Sequence, residues 1–196
     1  MIYTIGHSTH AIETFLALLA RHNIAAIADV RSAPFSRRNP QFTRSNLERS
    51  LDAANIAYRF FGKELGARSE DPSCYRKGKV QYELLAQTAL FRRGLGRLAG
   101  QAAQQTTAIL CAGKEPLECH RTILVARHLD MPVAHIHADA RIEPHPEALG
   151  RLIRQLRLPP EDMFRTHDDV IAEAYRLQGE RIAYTRPASQ GDMMSA

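Results

Sequence analysis

I-A-A-I-A-D-V, Ile24 to Val30, decides the fold class of this chain. Apolar residues fill nearly every position of the run, as in a strand covered on both faces rather than one with a wet side. Such strands belong to parallel sheets flanked by helices. Working outward, Met1 to Ile5 is a similar run that stops at Gly6. Between the two, Ile12, Phe15, Leu16 and Leu19 recur at helical spacing, with Ser8 or Thr9 as the expected N-cap.

The alternation continues downstream. Pro34 and Pro40 bracket an irregular segment, and Thr43 to Asn55 places Leu47, Leu51 and Ala54 on one side of a helix. I-A-Y-R-F-F (Ile56 to Phe61) has the β-branched and aromatic content of a third strand. Gly62 to Lys79 shows no sustained period and is expected to be a long loop, of the kind that is often functional or mobile. Val80 to about Gln105 follows as one long helical pattern, weakened by Gly94 and Gly96. T-A-I-L-C (Thr107 to Cys111) is the fourth strand, and the next helix carries Cys119, Thr122, Ile123 and Ala126 on one face. Val133 to His137 is the fifth strand. Pro146 then opens a helix with Leu149, Leu152, Ile153 and Leu156 on one stripe, ended by Pro159-Pro160, and Glu161 to about Gly179 is expected to be helical. The expected class is α/β: a mainly parallel five-stranded sheet with helices on both faces, plus C-terminal helices. Residues 1–140 form the core domain in this reading, 141–185 a helical extension packed on it, and 186–196 a disordered tail.

Composition narrows the function classes. Of the 196 residues 44% are hydrophobic and 24% charged, ordinary values for a globular chain. Three scattered cysteines make no disulfide framework and fit free thiols in a reducing compartment. No basic segment followed by an apolar run marks a signal peptide, and nowhere do 18 apolar residues run together. A cytoplasmic protein with no membrane partner is expected. The net charge of +5 is uneven, with +6 between Arg31 and Tyr82 and −1 in the rest. That concentration favours a phosphate-bearing or otherwise anionic partner, against the alternative of a merely solvated basic face.

In open parallel sheets ligands bind outside the carboxyl ends of the strands. His7 and Ser8 follow the first strand, Asp29 and Arg31 end the second, and Cys111 ends the fourth, with Glu115 shortly after. Cys119, with His120 and Arg121 beside it, falls at the start of a helix, where unpaired backbone N–H groups stabilise a thiolate or hold an anion. The alternative for Cys119 is an inert buried thiol, and Cys111 is more core than catalyst. Asp29 sits in an apolar strand and needs a partner; Arg31 alone is not expected to suffice, and His7 or Arg121 would also serve. Arg31 itself is suited to a bidentate contact with phosphate or carboxylate. Cys111, Cys119, His120 and His7 are metal-ligand types, but Cys-x7-Cys matches no familiar zinc spacing, so neither metal nor cofactor is expected. A dinucleotide fingerprint is absent, since Thr4 to Ser8 holds one glycine where three are needed.

T-I-G-H-S (Thr4 to Ser8), D-V-R-S-A-P-F-S (Asp29 to Ser36), E-L-G-A-R (Glu64 to Arg68) and L-C-A-G-K-E-P-L-E-C-H-R (Leu110 to Arg121) resemble the domain-of-unknown-function 488 family. L-Q-G-E-R-I-A-Y (Leu177 to Tyr184) is similar to the tail of its longer members. The resemblance implies a cytosolic α/β protein and picks out His7, Asp29, Arg31, Pro34, Cys111, Cys119, His120 and Arg121 as motif positions. Members often carry an acidic residue soon after the first motif cysteine, where this chain has Gly113 and Lys114 before Glu115.

Three functions compete. The first is an enzyme binding a phosphate-bearing or nucleotide-like ligand at the strand ends. There Cys119 is nucleophile or anion anchor, His7 or His120 the acid/base, Asp29 a further catalytic candidate, and Arg31 with Arg121 the charge clamp; Ser8, Cys111 and Glu115 complete the site. The second is a nucleic-acid-binding module using residues 31–82, whose basic side chains interleave with seven of the thirteen aromatics. The third is a thiol-based redox or sensor protein using Cys111 and Cys119, with Cys74 in the mobile loop. The basic loop after the second strand is a candidate lid or wall of the same site.

Overall fold

In a computed structural model, which describes residues 1–159, 161, 163 and 165–187, the apolar runs become strands. Ile2–Gly6 (β1) leads into Ile12–Arg21 (α1), and Ala26–Asp29 (β2) into Arg44–Ala53 (α2). Ala57–Phe60 (β3) is followed by the short helix Gly62–Leu65 (α3) and a small antiparallel hairpin, Tyr75–Arg76 (β4) with Lys79–Val80 (β5). Tyr82–Gln87 (α4) and Ala89–Gln104 (α5) precede Thr107–Cys111 (β6). Val133–Ile136 (β7) and Ile142–Pro144 (β8) come next, then His145–Gln155 (α6) and His167–Ile182 (α7).

The main sheet has the order β3-β2-β6-β1-β7-β8, parallel except for β8. Every residue of β2 and β6 is buried, as the unbroken apolar runs require, whereas edge strand β3 buries its residues only in part. α1 and α2 cover one face through Phe15, Leu19, Leu47 and Leu51. On the other face Phe91, Leu98, Ile123 and Val125 pack together with Ala148 and Leu152 of α6 and Ala174 and Tyr175 of α7. The C-terminal helices thus share the core of the α/β unit. A buried polar chain ties them to the sheet: Thr4 to His135 (2.8 Å), His135 to His145 (3.0 Å) and His145 to Tyr175 (2.7 Å).

Several expectations need correction. The sheet has six strands, not five. β8 is only three residues long and carries Glu143, below the length at which alternation is legible; a tight turn with Ala140 at φ 66° folds it back onto β7. The long helical pattern over 80–105 is two helices. Thr88 breaks it, its side chain accepting from the Phe91 N–H (3.2 Å) as N-cap of α5, while Gly94 lies inside α5 and lets it approach Glu64 and Leu65 of α3. The stretch 62–79 is not one long loop, and Cys74 within it is fully buried. The N-cap of α1 is Ala11, not Ser8 or Thr9. The expected disordered tail falls largely on residues 188–196, outside the described residues. No helix among the described residues is long and apolar enough to cross a membrane.

Candidate functional site

The crossovers leaving β1 and β6 run to opposite sides of the sheet, so these neighbouring strands form a topological switch point. Their ends are in register, Gly6 opposite Cys111. Beyond them the chain stays zipped: His7 N–H donates to the Cys111 carbonyl and Ser8 N–H to that of Ala112, each at 3.0 Å. A Cβ on Gly6 would collide with the Gly113 carbonyl, which is why glycine ends β1. Arg121 fastens the loop from beneath, donating to the carbonyls of Gly113 (2.6 Å) and Lys114 (3.2 Å). It is fully buried, and its Nε has no hydrogen-bond partner among the described residues.

Asp29, at the end of β2, is fully buried and receives a bidentate grip from Arg31, Nε to Oδ1 at 2.9 Å and the second arm to Oδ2 at 2.6 Å. The Tyr58 hydroxyl donates to Oδ2 as well (2.8 Å). Neither His7 nor Arg121 is hydrogen-bonded to Asp29. Arg31 also donates to the Phe42 carbonyl (2.8 Å), so three of its five N–H groups are engaged before any ligand arrives. Burial opposes the Arg31 charge, yet the bonds to Asp29 outweigh it and raise the guanidinium pKa. The ring of Phe42 stacks on His7, with centroids 4.3 Å apart. Burial, followed by the charge of Arg31, pushes His7 down to about 4. Its Nδ1–H donates to the Ser8 carbonyl (2.9 Å), which leaves the lone pair on Nε2. Ser8 itself is held at φ 48°, the left-handed region.

The two cysteines meet at this edge. Cys119 is extended at the helix start, its carbonyl accepting from the N–H groups of Thr122 and Ile123, so it caps the helix rather than sitting in the first turn. The helix then opens into one wide turn, Arg121–Val125, a geometry frequent at functional sites. The ligand atoms of Cys111, Cys119 and His120 all lie within 4.8 Å of one another. His120 donates from Nε2 to the Val30 carbonyl (3.0 Å) and presents Nδ1 to the Cys111 sulfur (3.6 Å). The bond to Cys119, together with burial, raises the Cys111 thiol. Burial opposes a thiolate on Cys119 too, but the Cys111 thiol, the Arg121 charge and His120 prevail and lower it.

A cleft of about 790 Å³ opens over these residues. Of the residues picked out from the sequence, His7, Ser8, Arg31, Cys111, Cys119 and His120 line it. Arg121 lies behind the wall and Asp29 beneath Arg31. Arg37, Arg38, Arg68 and Lys114, which no spacing in the sequence marks as site residues, also line the cleft, together with the carboxylate of Glu118. Tyr82 and Tyr184 complete its walls. The Arg68 guanidinium lies over the Tyr184 ring, 4.5 Å from its centroid. The signal for Arg68 and Tyr184 was present in E-L-G-A-R and L-Q-G-E-R-I-A-Y, but nothing in the spacing says that the chain after α7 returns to the cleft.

Glu115 points elsewhere. It accepts from the Leu117 N–H (3.2 Å) and from Arg151 of α6 (2.8 Å), which also grips Glu143; His137 donates to the same Glu143 (2.8 Å). Burial works against the Glu143 charge, but bonds from Arg151 and His137 hold it down to about 2. A carboxyl lowered by folding stabilises the native state above its ordinary value of 4.5, and that contribution disappears as pH falls from 4.5 towards 2. Glu143→Gln is therefore expected to flatten the melting temperature over this acid range. At neutral pH it should cost about 1–3 kcal/mol, with Arg151 and His137 left short of an acceptor. Thermal melts of both proteins across the range would check it; parallel acid limbs would be evidence against the ion pairs.

Comparison with known proteins places the chain only at the level of a family. No curated protein and no solved structure matches it. One family model matches residues 11–128, well over half of the chain, a span that takes in Asp29, Arg31, Cys111, Cys119, His120 and Arg121 and begins after His7. The chain belongs to the family described as Domain of unknown function DUF488.

Proposed function

We propose that the protein is an enzyme acting on a phosphate-bearing or nucleotide-like ligand held in the strand-end cleft. The observation that carries this reading is the charge of the cleft: Arg37, Arg38, Arg68 and Lys114 against the carboxylate of Glu118, with Arg31 already paired to Asp29, over a floor of buried sulfur and imidazole. Arg37, Arg38, Arg68 and Lys114 clamp the anionic group, and Arg31 adds its two remaining N–H groups. His7 is the acid/base, because its Nδ1 is fixed by Ser8 and its Nε2 is left to accept or deliver a proton. The Cys111–Cys119–His120 cluster supplies the reactive group.

Calorimetric titration with pyrophosphate and with nucleoside mono- and diphosphates at two salt concentrations tests this. Saturable, salt-sensitive binding is expected, weakened about tenfold or more by Arg38→Ala or Arg68→Ala, as the loss of one charge-assisted contact implies. Absence of saturable binding by every phosphate-bearing probe at millimolar concentration would overturn the reading.

One observation favours a second reading, single-stranded nucleic acid. Phe35 is 66% exposed at the cleft, next to Arg37 and Arg38, and offers a ring to a base. Phe42, Phe61 and Tyr82 of the same basic segment are core residues, which shrinks the available stacking surface. Oligonucleotides binding much tighter than mononucleotides would support this second reading.

A further inference from the structure

We propose that Cys111, Cys119 and His120 form a three-ligand site for a thiophilic divalent ion of the zinc class, with its fourth position open to the cleft. This rests on the reading of the cleft as a reaction site and names the group that makes it reactive.

The distances carry the argument. Zinc takes a thiolate sulfur at about 2.3 Å and an imidazole nitrogen at about 2.0–2.1 Å in tetrahedral geometry, which puts the sulfur and nitrogen about 3.6 Å apart. The Cys111 sulfur and His120 Nδ1 stand 3.6 Å apart. The third ligand atom, the Cys119 sulfur, lies within 4.8 Å of both, close to the spacing that an ion would impose. The imidazole is already oriented for the task. Its Nε2–H donates to the Val30 carbonyl (3.0 Å), which fixes the tautomer and turns the Nδ1 lone pair to the sulfurs; metal-ligating histidines are held by the same outer contact.

Rigidity and charge agree with this. Cys111 is the last residue of a fully buried strand and Cys119 caps a buried helix, so neither backbone has to move. Two thiolates neutralise a dication, so the complex does not meet repulsion from buried Arg121. The donor set is soft and contains no carboxylate, which selects zinc-like ions over magnesium or calcium. All three residues line the cleft, so the vacant fourth position faces the proposed anionic ligand. There an ion can polarise a phosphoryl oxygen or activate a water, as metals do in three-ligand catalytic sites. The Cys-x7-Cys spacing hides the site because a strand end and a helix cap, not a knuckle, bring the sulfurs together.

The full-length protein, stripped with a chelator and dialysed, should take up one equivalent of Zn²⁺ in competition with a chromophoric chelator. With Co²⁺ it should give a near-ultraviolet thiolate-to-cobalt band and the visible bands of a tetrahedral ion. Cys111→Ser or Cys119→Ser should weaken zinc by more than about a hundredfold, beyond what loss of an outer contact costs, whereas Cys74→Ala should not change it. The cobalt spectrum of the unaltered protein decides the matter if a variant fails to fold. No stoichiometric uptake, or a cobalt spectrum without the thiolate band, overturns the metal site. If the phosphate probes still bind in that case, the cleft reading survives and Cys119 is left as a direct nucleophile. Zinc uptake without any anion binding, before or after loading, would instead leave the metal site standing and remove the cleft reading.

Discussion

Asp29→Ala is expected to destabilise the protein by about 3–5 kcal/mol, the cost of stripping one partner from a buried ion pair. Domains of this size are stable by about 5–15 kcal/mol, so the variant should be marginal or unfolded at 37 °C. The size of the effect follows from what remains. Arg31, 6% exposed, would keep its charge, while its Nε and one terminal nitrogen lose their acceptors along with the Tyr58 hydroxyl. Asp29→Asn should be nearly as damaging despite its matching shape, because an amide neither neutralises the guanidinium nor accepts at both ends of the fork. Tyr58→Phe removes only one of the donors and should cost about 1 kcal/mol. The decisive variant is the double one, Asp29→Ala with Arg31→Met. Removing both charges should recover part of the loss, since a buried pair replaced by apolar groups is often close to neutral. Urea unfolding of the parent, Asp29→Ala, Arg31→Met and the double variant gives the cycle; additive single losses would show that the pair is not the source of the effect.

This pair also shows how far the sequence can be read. An aspartate inside I-A-A-I-A-D-V announces its need for a partner, because an unpaired carboxylate is too costly between apolar neighbours. Arg31, two residues on and on the same strand face, is a partner legible in the sequence, though not one expected to suffice alone. β2 ends at Asp29, so the chain after it is free to turn the guanidinium back, and the Arg31 N–H donates to the same carboxylate (3.0 Å). Tyr58, the third member, depends on the pairing of β2 with β3, and strand order leaves no mark in one sequence. The same division holds elsewhere. β2 and β6 are legible because double-sided burial writes an apolar run. The break at Thr88 is not, because the apolar period continues across a good cap residue. The convergence of His7, Arg31 and Cys111 follows from parallel topology alone. The meeting of Cys111 with Cys119 and His120 depends on the turn between β6 and the helix, which is held both by Arg121 and by the His7 and Ser8 bonds to Cys111 and Ala112.

Arg121→Ala should rival Asp29→Ala, for a different reason. Arg121 is among the largest fully buried side chains of the protein, and truncating it leaves a cavity as well as two carbonyls without donors. Large-to-alanine changes in a core cost about 3–5 kcal/mol, and the loss should fall in that range. Arg121→Met separates volume from charge. The guanidinium has no carboxylate among its hydrogen-bond partners in the described residues, so neutralising it forfeits the two loop contacts and its electrostatic support of the Cys119 thiolate. A cost of about 1–3 kcal/mol follows. Arg121→Lys keeps the charge but cannot reach both carbonyls with one ammonium, and should be no better than methionine. All three should loosen the loop from Ala112 to Glu118, because Arg121 is what fastens Gly113 and Lys114 beneath the turn of His7 and Ser8. Denaturant unfolding gives the stabilities, and amide hydrogen exchange over residues 112–118 reports the loop. Alanine within about 1 kcal/mol of the parent would mean that the core closes over the cavity. Unchanged exchange would mean that the β1–β6 zipper, rather than the arginine, holds the loop over the cysteines.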